Sequence, residues 1–179
     1  MGQAATLYRI SKTDLDAIAE NLENWARDKM TKEDQLFDST FDGLCFLLSK
    51  NQDAETATLV QQIFFPQKSI GEEVDFSSLD WENIPDDFNF ESRAIYYHDP
   101  EKIAAINSVL DKISTEKFKE LFDADELNKN GVYPAGAWNY ETGPDNGFNE
   151  LLMTEKFINL KAIFSNAKNE EDYILSFVG

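Results

Sequence analysis

Cys45, in the stretch STFDGLCFLL, is the chain's one cysteine, and His98, in YYHDP, is its one histidine. A thiol and an imidazole are the parts of a nucleophilic dyad when the imidazole can take the thiol's proton. Such a thiol needs a lowered pKa, from a helix N-terminus or a cationic neighbour, and some exposure. The residues around Cys45 point elsewhere. Phe41, Leu44, Cys45 and Leu48 fall at i, i+3, i+4 and i+7, one face of a helix. The thiol then sits more than a turn inside an apolar stripe, where a free cysteine acts as a small hydrophobe. His98 precedes a helix cap and is expected near the surface. No catalytic residue is assigned, and the reading leans away from an enzyme.

Metal chemistry is also disfavoured. One histidine and one cysteine do not make a zinc set. DADELNKNG offers Asp123, Asp125, Asn128 and Asn130, but Leu127 stands at the fifth position of an EF-hand loop and the sixth is not glycine. The stretch reads as a helix end with Gly131 as terminator. No phosphate-cradling glycine motif, serine elbow or kinase signature occurs, so no cofactor is expected.

The elements that hold these residues follow from periodicity. TLYRI (Thr6–Ile10) is β-prone. Ser11 and Asp14 have capping-box spacing, and Leu15, Ile18, Ala19, Leu22, Trp25 and Ala26 predict one amphipathic helix running to about Lys29. Ser39 and Asp42 repeat the capping-box spacing ahead of the helix that carries Cys45. A further helix places Leu59, Val60, Ile63 and Phe64 on one side and stops at Pro66. RAIYY (Arg93–Tyr97) returns to strand. Asp99 and Pro100 then open a helix with Ile103, Ile106, Leu110 and Ile113 inward. STEKFKELFDADEL predicts another helix, with Phe118, Leu121 and Phe122 inward. A long last helix leads into the β-prone DYILSFV. Strands at both ends and near the middle, with helices between, predict one α+β domain over residues 1–179 with a small mixed sheet.

Two segments stand apart. Residues 69–92 contain no lysine or arginine and interleave Glu72, Glu73, Asp75, Asp80, Glu82, Asp86, Asp87 and Glu91 with Phe76, Trp81, Phe88 and Phe90. They read as a long acidic connection over the surface, anchored by its aromatics. Gly131–Gly147 (GVYPAGAWNYETGPDNG) holds four of the eight glycines, which excludes helix and predicts a structured loop. Tyr133, Trp138 and Tyr140 give that loop apolar mass.

Charge bounds the partners. With 34 acidic and 16 basic residues the formal net charge is -18, a field that repels phosphate backbones and anionic lipid. Nucleic-acid and membrane binding are therefore not expected. No apolar run is long enough to span a bilayer, and the N-terminal residues lack the pattern of a secretory signal. Gly2 and Thr6 match myristoylation spacing, although Thr6 opens the first strand. A single cysteine cannot form an internal disulfide, which suits a reducing cytoplasm.

FDGLCFLLS, the run RAIYYHDPEKIAAINSVLDKISTEKFKELFDADELNKNGVYPAGAW, a long helix and the closing YILSFV together resemble the YfbM-like family, a bacterial domain of unknown function. The resemblance covers Arg93–Val178 and Thr6–Lys50, and the acidic connection is longer than the family's. Family members carry a tryptophan–aspartate pair at the start of the second helix and a histidine just beyond. Phe41, Asp42 and Cys45 occupy those places here. The family's YP and W element is kept as Tyr133, Pro134 and Trp138. The resemblance implies one α+β domain in a bacterial cytoplasm, and no reaction or cofactor.

Two functions are open. One is a non-enzymatic cytoplasmic binding or inhibitor-type module for a basic protein partner, using Asp80, Trp81, Glu82, Asp86 and Asp87. The other is a small-molecule-binding domain or enzyme with a pocket near the 131–147 loop, lined by Tyr133, Trp138 and Tyr140. A deep pocket with converging polar groups favours the second.

Overall fold

In the computed structural model, which describes residues 3–71, 94–143 and 147–179, the chain's two ends pair with each other. Strand β1 (Ala4–Ile10) runs antiparallel to β5 (Tyr173–Val178), Ala5 facing Val178 and Ile10 facing Tyr173. Strand β2 (Glu33–Asp38) flanks β1, and β4 (Ile95–His98) with β3 (Lys68–Ile70) extends the other side, giving the order β2-β1-β5-β4-β3. Every pairing is antiparallel. The α+β class holds, and the mixed sheet is corrected to an antiparallel one. β2 and β3 were not expected from sequence. Both are edge strands, and β2 (EDQLFD) fully buries only Phe37, so its alternation is nearly invisible among charges.

Alternation along the central strands feeds two apolar layers. Ala5, Leu7 and Ile174 face the larger core, while Tyr8, Ile10 and Leu175 face a smaller one. Helix α1 (Lys12–Glu20) covers the smaller side, its N-terminal amides capped by Ser11. The expected single helix to Lys29 is broken. Asn21 turns extended and caps a 3-10 turn at Leu22–Asn24, and a short α2 (Arg27–Met30) follows. The break lets Trp25 reach the sheet, where it stacks on Phe177 at 5.9 Å and meets Tyr8 edge-on at 5.5 Å. Aromatic burial here outweighs local helix propensity. Ala19, expected inward, is exposed.

The larger layer is built by α3 (Phe41–Ser49), α4 (Ala54–Gln61), α5 (Pro100–Asp111), α6 (Thr115–Leu121), α7 (Ala124–Lys129) and α8 (Glu150–Glu170). Asp99 caps α5 with Pro100 in the first turn, as the sequence predicts. The helix expected over STEKFKELFDADEL is two helices, because Asp123 turns extended and caps α7. Phe118 of α6 stacks on Phe157 of α8, ring centroids 4.2 Å apart.

An ion cluster fastens the corner between α8 and β5. The Arg9 guanidinium is 2.9 Å from Asp172, 3.1 Å from Glu170 and 3.1 Å from Glu33. Lys32 adds a 2.8 Å contact to the buried Asp172. Removing one partner of a buried pair strands the other charge and costs roughly 3–5 kcal/mol. Asp172→Ala is therefore expected to lower the unfolding free energy by about 3 kcal/mol in urea titration, and a loss within experimental error would show that the cluster is dispensable.

Candidate functional site

Cys45 lies on the inner face of α3 and is 2% exposed. Its sulfur points at the Val60 carbonyl, 3.8 Å away. Burial, with a smaller contribution from Asp42, pushes its pKa up to about 12. At neutral pH it is a protonated thiol without access, so the geometry gives it a packing role.

His98 corrects the sequence reading: expected near the surface, it is 2% exposed. Strand alternation turns it to the helix side of β4, where its ring packs against Phe164 at 5.8 Å. Nε2 lies 3.0 Å from the Ile63 carbonyl, which assigns the proton to that nitrogen. Burial pulls its pKa down to about 4 against the pull of the Ile63 bond, and the Lys102 charge lowers it further. Thiol and imidazole are thus turned to the carbonyls of Val60 and Ile63, and no dyad forms between them.

Beside His98 lies a small polar niche of about 50 Å³ lined by Gln67, Lys68, Tyr97, Asp99 and Lys102. Its charges are engaged. Lys68 pairs with Asp99, whose carboxylate also accepts the Lys102 amide at 2.8 Å, and the Lys102 ammonium donates to Gln62 at 2.8 Å. Burial pushes the Asp99 pKa up, but the Lys68 and Lys102 hydrogen bonds outweigh it and the net direction is down.

The 131–147 loop is held from below. Gly131, at φ +67°, ends α7; the Gly131 amide donates to Asn128 and the Val132 amide to Leu127, the paired bonds of a Schellman motif. The Asn128 side chain then does the work of a strand partner. Its Oδ1 accepts the amides of Gly136 (2.9 Å) and Trp138 (3.2 Å), and its Nδ2 donates to the Trp138 carbonyl (2.8 Å). Trp138 is buried, and its indole N–H donates to Val132 at 2.9 Å. The ring lies flush on α3 at Gly43, where an added Cβ would be 2.5 Å from it.

This packing uses Asp42, whose carboxylate accepts the Tyr133 amide at 3.0 Å. The capping box expected from Ser39 and Asp42 is therefore absent. Thr40 is the N-cap residue and makes no side-chain cap bond, while Ser39, at φ +50°, turns its hydroxyl to the Gln3 carbonyl. Of the loop aromatics, Tyr133 is half-buried, Trp138 is in the core, and Tyr140 is exposed with its hydroxyl donating to Asp123 at 3.1 Å. Asp80, Trp81, Glu82, Asp86 and Asp87 lie outside the described residues.

Sequence reasoning missed a concave feature between the end of α4 and the sheet. Phe64, Phe65, Pro66, Tyr96, Ser176 and Val178 line a cavity of about 400 Å³. The helix expected to run to Pro66 ends at Gln61, and Phe64 and Phe65 follow in the turn beyond it. Phe64 is buried and Phe65 is 53% exposed. Among the described residues no group of three His, Cys, Asp or Glu could hold a metal ion, and no helix is long and apolar enough to cross a membrane.

Two outcomes follow from this geometry. The pKa of His98 is about 4 when folded and 6.5 when free, so the unfolded chain binds more protons in that window. Stability is complete above about pH 6.5 and should fall by about 3 kcal/mol as pH drops to 4. Urea midpoints measured across that range should show the slope, and His98→Gln should flatten it; an unchanged slope would mean other groups cause it. Gly43→Ala should cost about 1–3 kcal/mol by overpacking the indole, with a shift in tryptophan fluorescence.

The fold is similar to the crystal structure of YfbM from Escherichia coli, a protein of unknown function, with a TM-score of 0.61 over 98% of this chain and 99% of that chain. At 13% identity the likeness shows the fold alone. No curated protein matches the sequence. The family model described as a domain of unknown function, DUF1877, matches residues 1–177, and the chain belongs to that family.

Proposed function

We propose that the protein is a non-catalytic binding module that recognises a basic protein partner. One observation carries the reading: a formal net charge of -18, with 34 acidic residues against 16 basic ones. Arg9, Lys12, Arg27, Lys32, Lys50, Lys68 and Lys117 are each in an intramolecular ion pair. Each such pair cancels one charge of either sign and leaves the net charge of -18 unchanged, and a net field of that sign steers a cationic partner. The same acidity serves solubility when no partner is present.

The environments of Cys45 and His98 support a non-catalytic role. The one thiol is protonated and the one imidazole is buried and neutral at physiological pH. A reducing cytoplasm suits a free, buried cysteine. The residues proposed to meet the partner are Asp80, Trp81, Glu82, Asp86 and Asp87, in the acidic connection.

Capture from native cytoplasm at low and high salt tests the reading. A basic protein should be retained at low salt and released as salt rises, since screening acts beyond about 10 Å at 0.1 M. Converting Asp80, Glu82, Asp86 and Asp87 to amides should slow association and leave the circular dichroism spectrum unchanged. A partner indifferent both to salt and to these four substitutions would remove the electrostatic reading.

A further inference from the structure

We propose that the cavity between the end of α4 and the sheet is a binding site for a small neutral ligand with an apolar body and one hydrogen-bond donor. Its floor is a product of strand register. Tyr96 of β4 pairs with Ser176 of β5, and Val178 lies two residues along β5 on the same face. The Phe64–Phe65–Pro66 run forms the wall. Phe64 is anchored edge-on against Phe37 at 5.1 Å and Phe41 at 5.7 Å, which fixes the backbone that carries Phe65. Phe65 also lines the cavity, 53% exposed and with its ring 6.2 Å from that of Phe41, and Val178 is 38% exposed. Exposed apolar side chains around a concavity mark a place where covering releases free energy.

Size and polarity select the occupant. About 400 Å³ lies within the range of small-molecule pockets, and such sites join apolar walls to a few placed polar groups. The placed polar group is Ser176. Its hydroxyl proton is committed to the Phe64 carbonyl at 2.6 Å, so its oxygen is left as an acceptor. A ligand that matches it brings an N–H or O–H. The net charge of -18 disfavours anions, and no carboxylate among the described lining residues would pair a cation, so the site fits a neutral ligand.

The probe is 5-fluoroindole, a neutral aromatic with one N–H, followed by fluorine NMR on the full chain. Its line should broaden saturably with protein. The N-methylated analogue, which lacks the donor, should bind about tenfold more weakly. Val178→Trp fills the cavity from an exposed lining position and should weaken binding by about tenfold or more. Phe65→Ala removes part of the wall from an exposed position and should also weaken it, so the test survives if one variant folds poorly. Circular dichroism melts confirm the fold of each. Saturable binding lost in a folded variant supports the site. Absence of binding, or binding unchanged in both variants, overturns it. Equal affinity of the N-methyl analogue overturns the assignment of Ser176 as the polar anchor.

Discussion

Helix α8 runs through the larger core and gives it Met153, Phe157, Leu160, Ile163, Phe164 and Ala167, each removed from solvent. Fully burying a large apolar side chain contributes roughly 1.5–3 kcal/mol, so this one helix supplies a large part of the driving force. Its ends are fixed polar joints. Asn149 caps the first turn, and the last turn passes through Glu171 in the left-handed region to Asp172, the centre of the Arg9 and Lys32 cluster. Because the helix is pinned at both ends, its inner face sets what lies beneath it, including the ring that covers His98.

Burial then decides the chemistry of the reactive residues. The same desolvation raises a thiol and lowers an imidazole, because each loses its charged form in an apolar surrounding. Cys45 and His98 show the two directions. Both are satisfied by backbone carbonyls of the α4 segment, Val60 and Ile63. The polar atoms stitch that segment to α3 and β4, and no proton is positioned for transfer between them.

Much of this was legible in the sequence wherever a local rule acts alone. The Ser11 and Asp99 caps, the Gly131 terminator, the apolar stripe around Cys45 and the strands at the chain's ends all depend on neighbours within a turn or two. The rest depends on distant partners. Trp25 leaves its helical register to meet Tyr8 and Phe177 across the sheet. Asp42 matched a capping box, yet the Tyr133 amide, ninety-one residues away, takes its carboxylate. His98 looked exposed from its neighbours, yet Phe164 and the Ile63 carbonyl, both distant in sequence, pack against its ring. β2 is built of charges and owes its strand form to pairing with β1. Ser176 gave no sign that its oxygen would meet Phe64 and floor a cavity.

Cys45 and His98, the two residues that look reactive, are parts of the core, each 2% exposed. Thiol labelling of Cys45 tests that claim directly. In the native state at neutral pH, reaction with a disulfide reagent should proceed only as fast as the protein opens, and it should become immediate in denaturant. Labelling at the rate of a free thiol, with the circular dichroism spectrum unchanged, would contradict the burial on which the account rests.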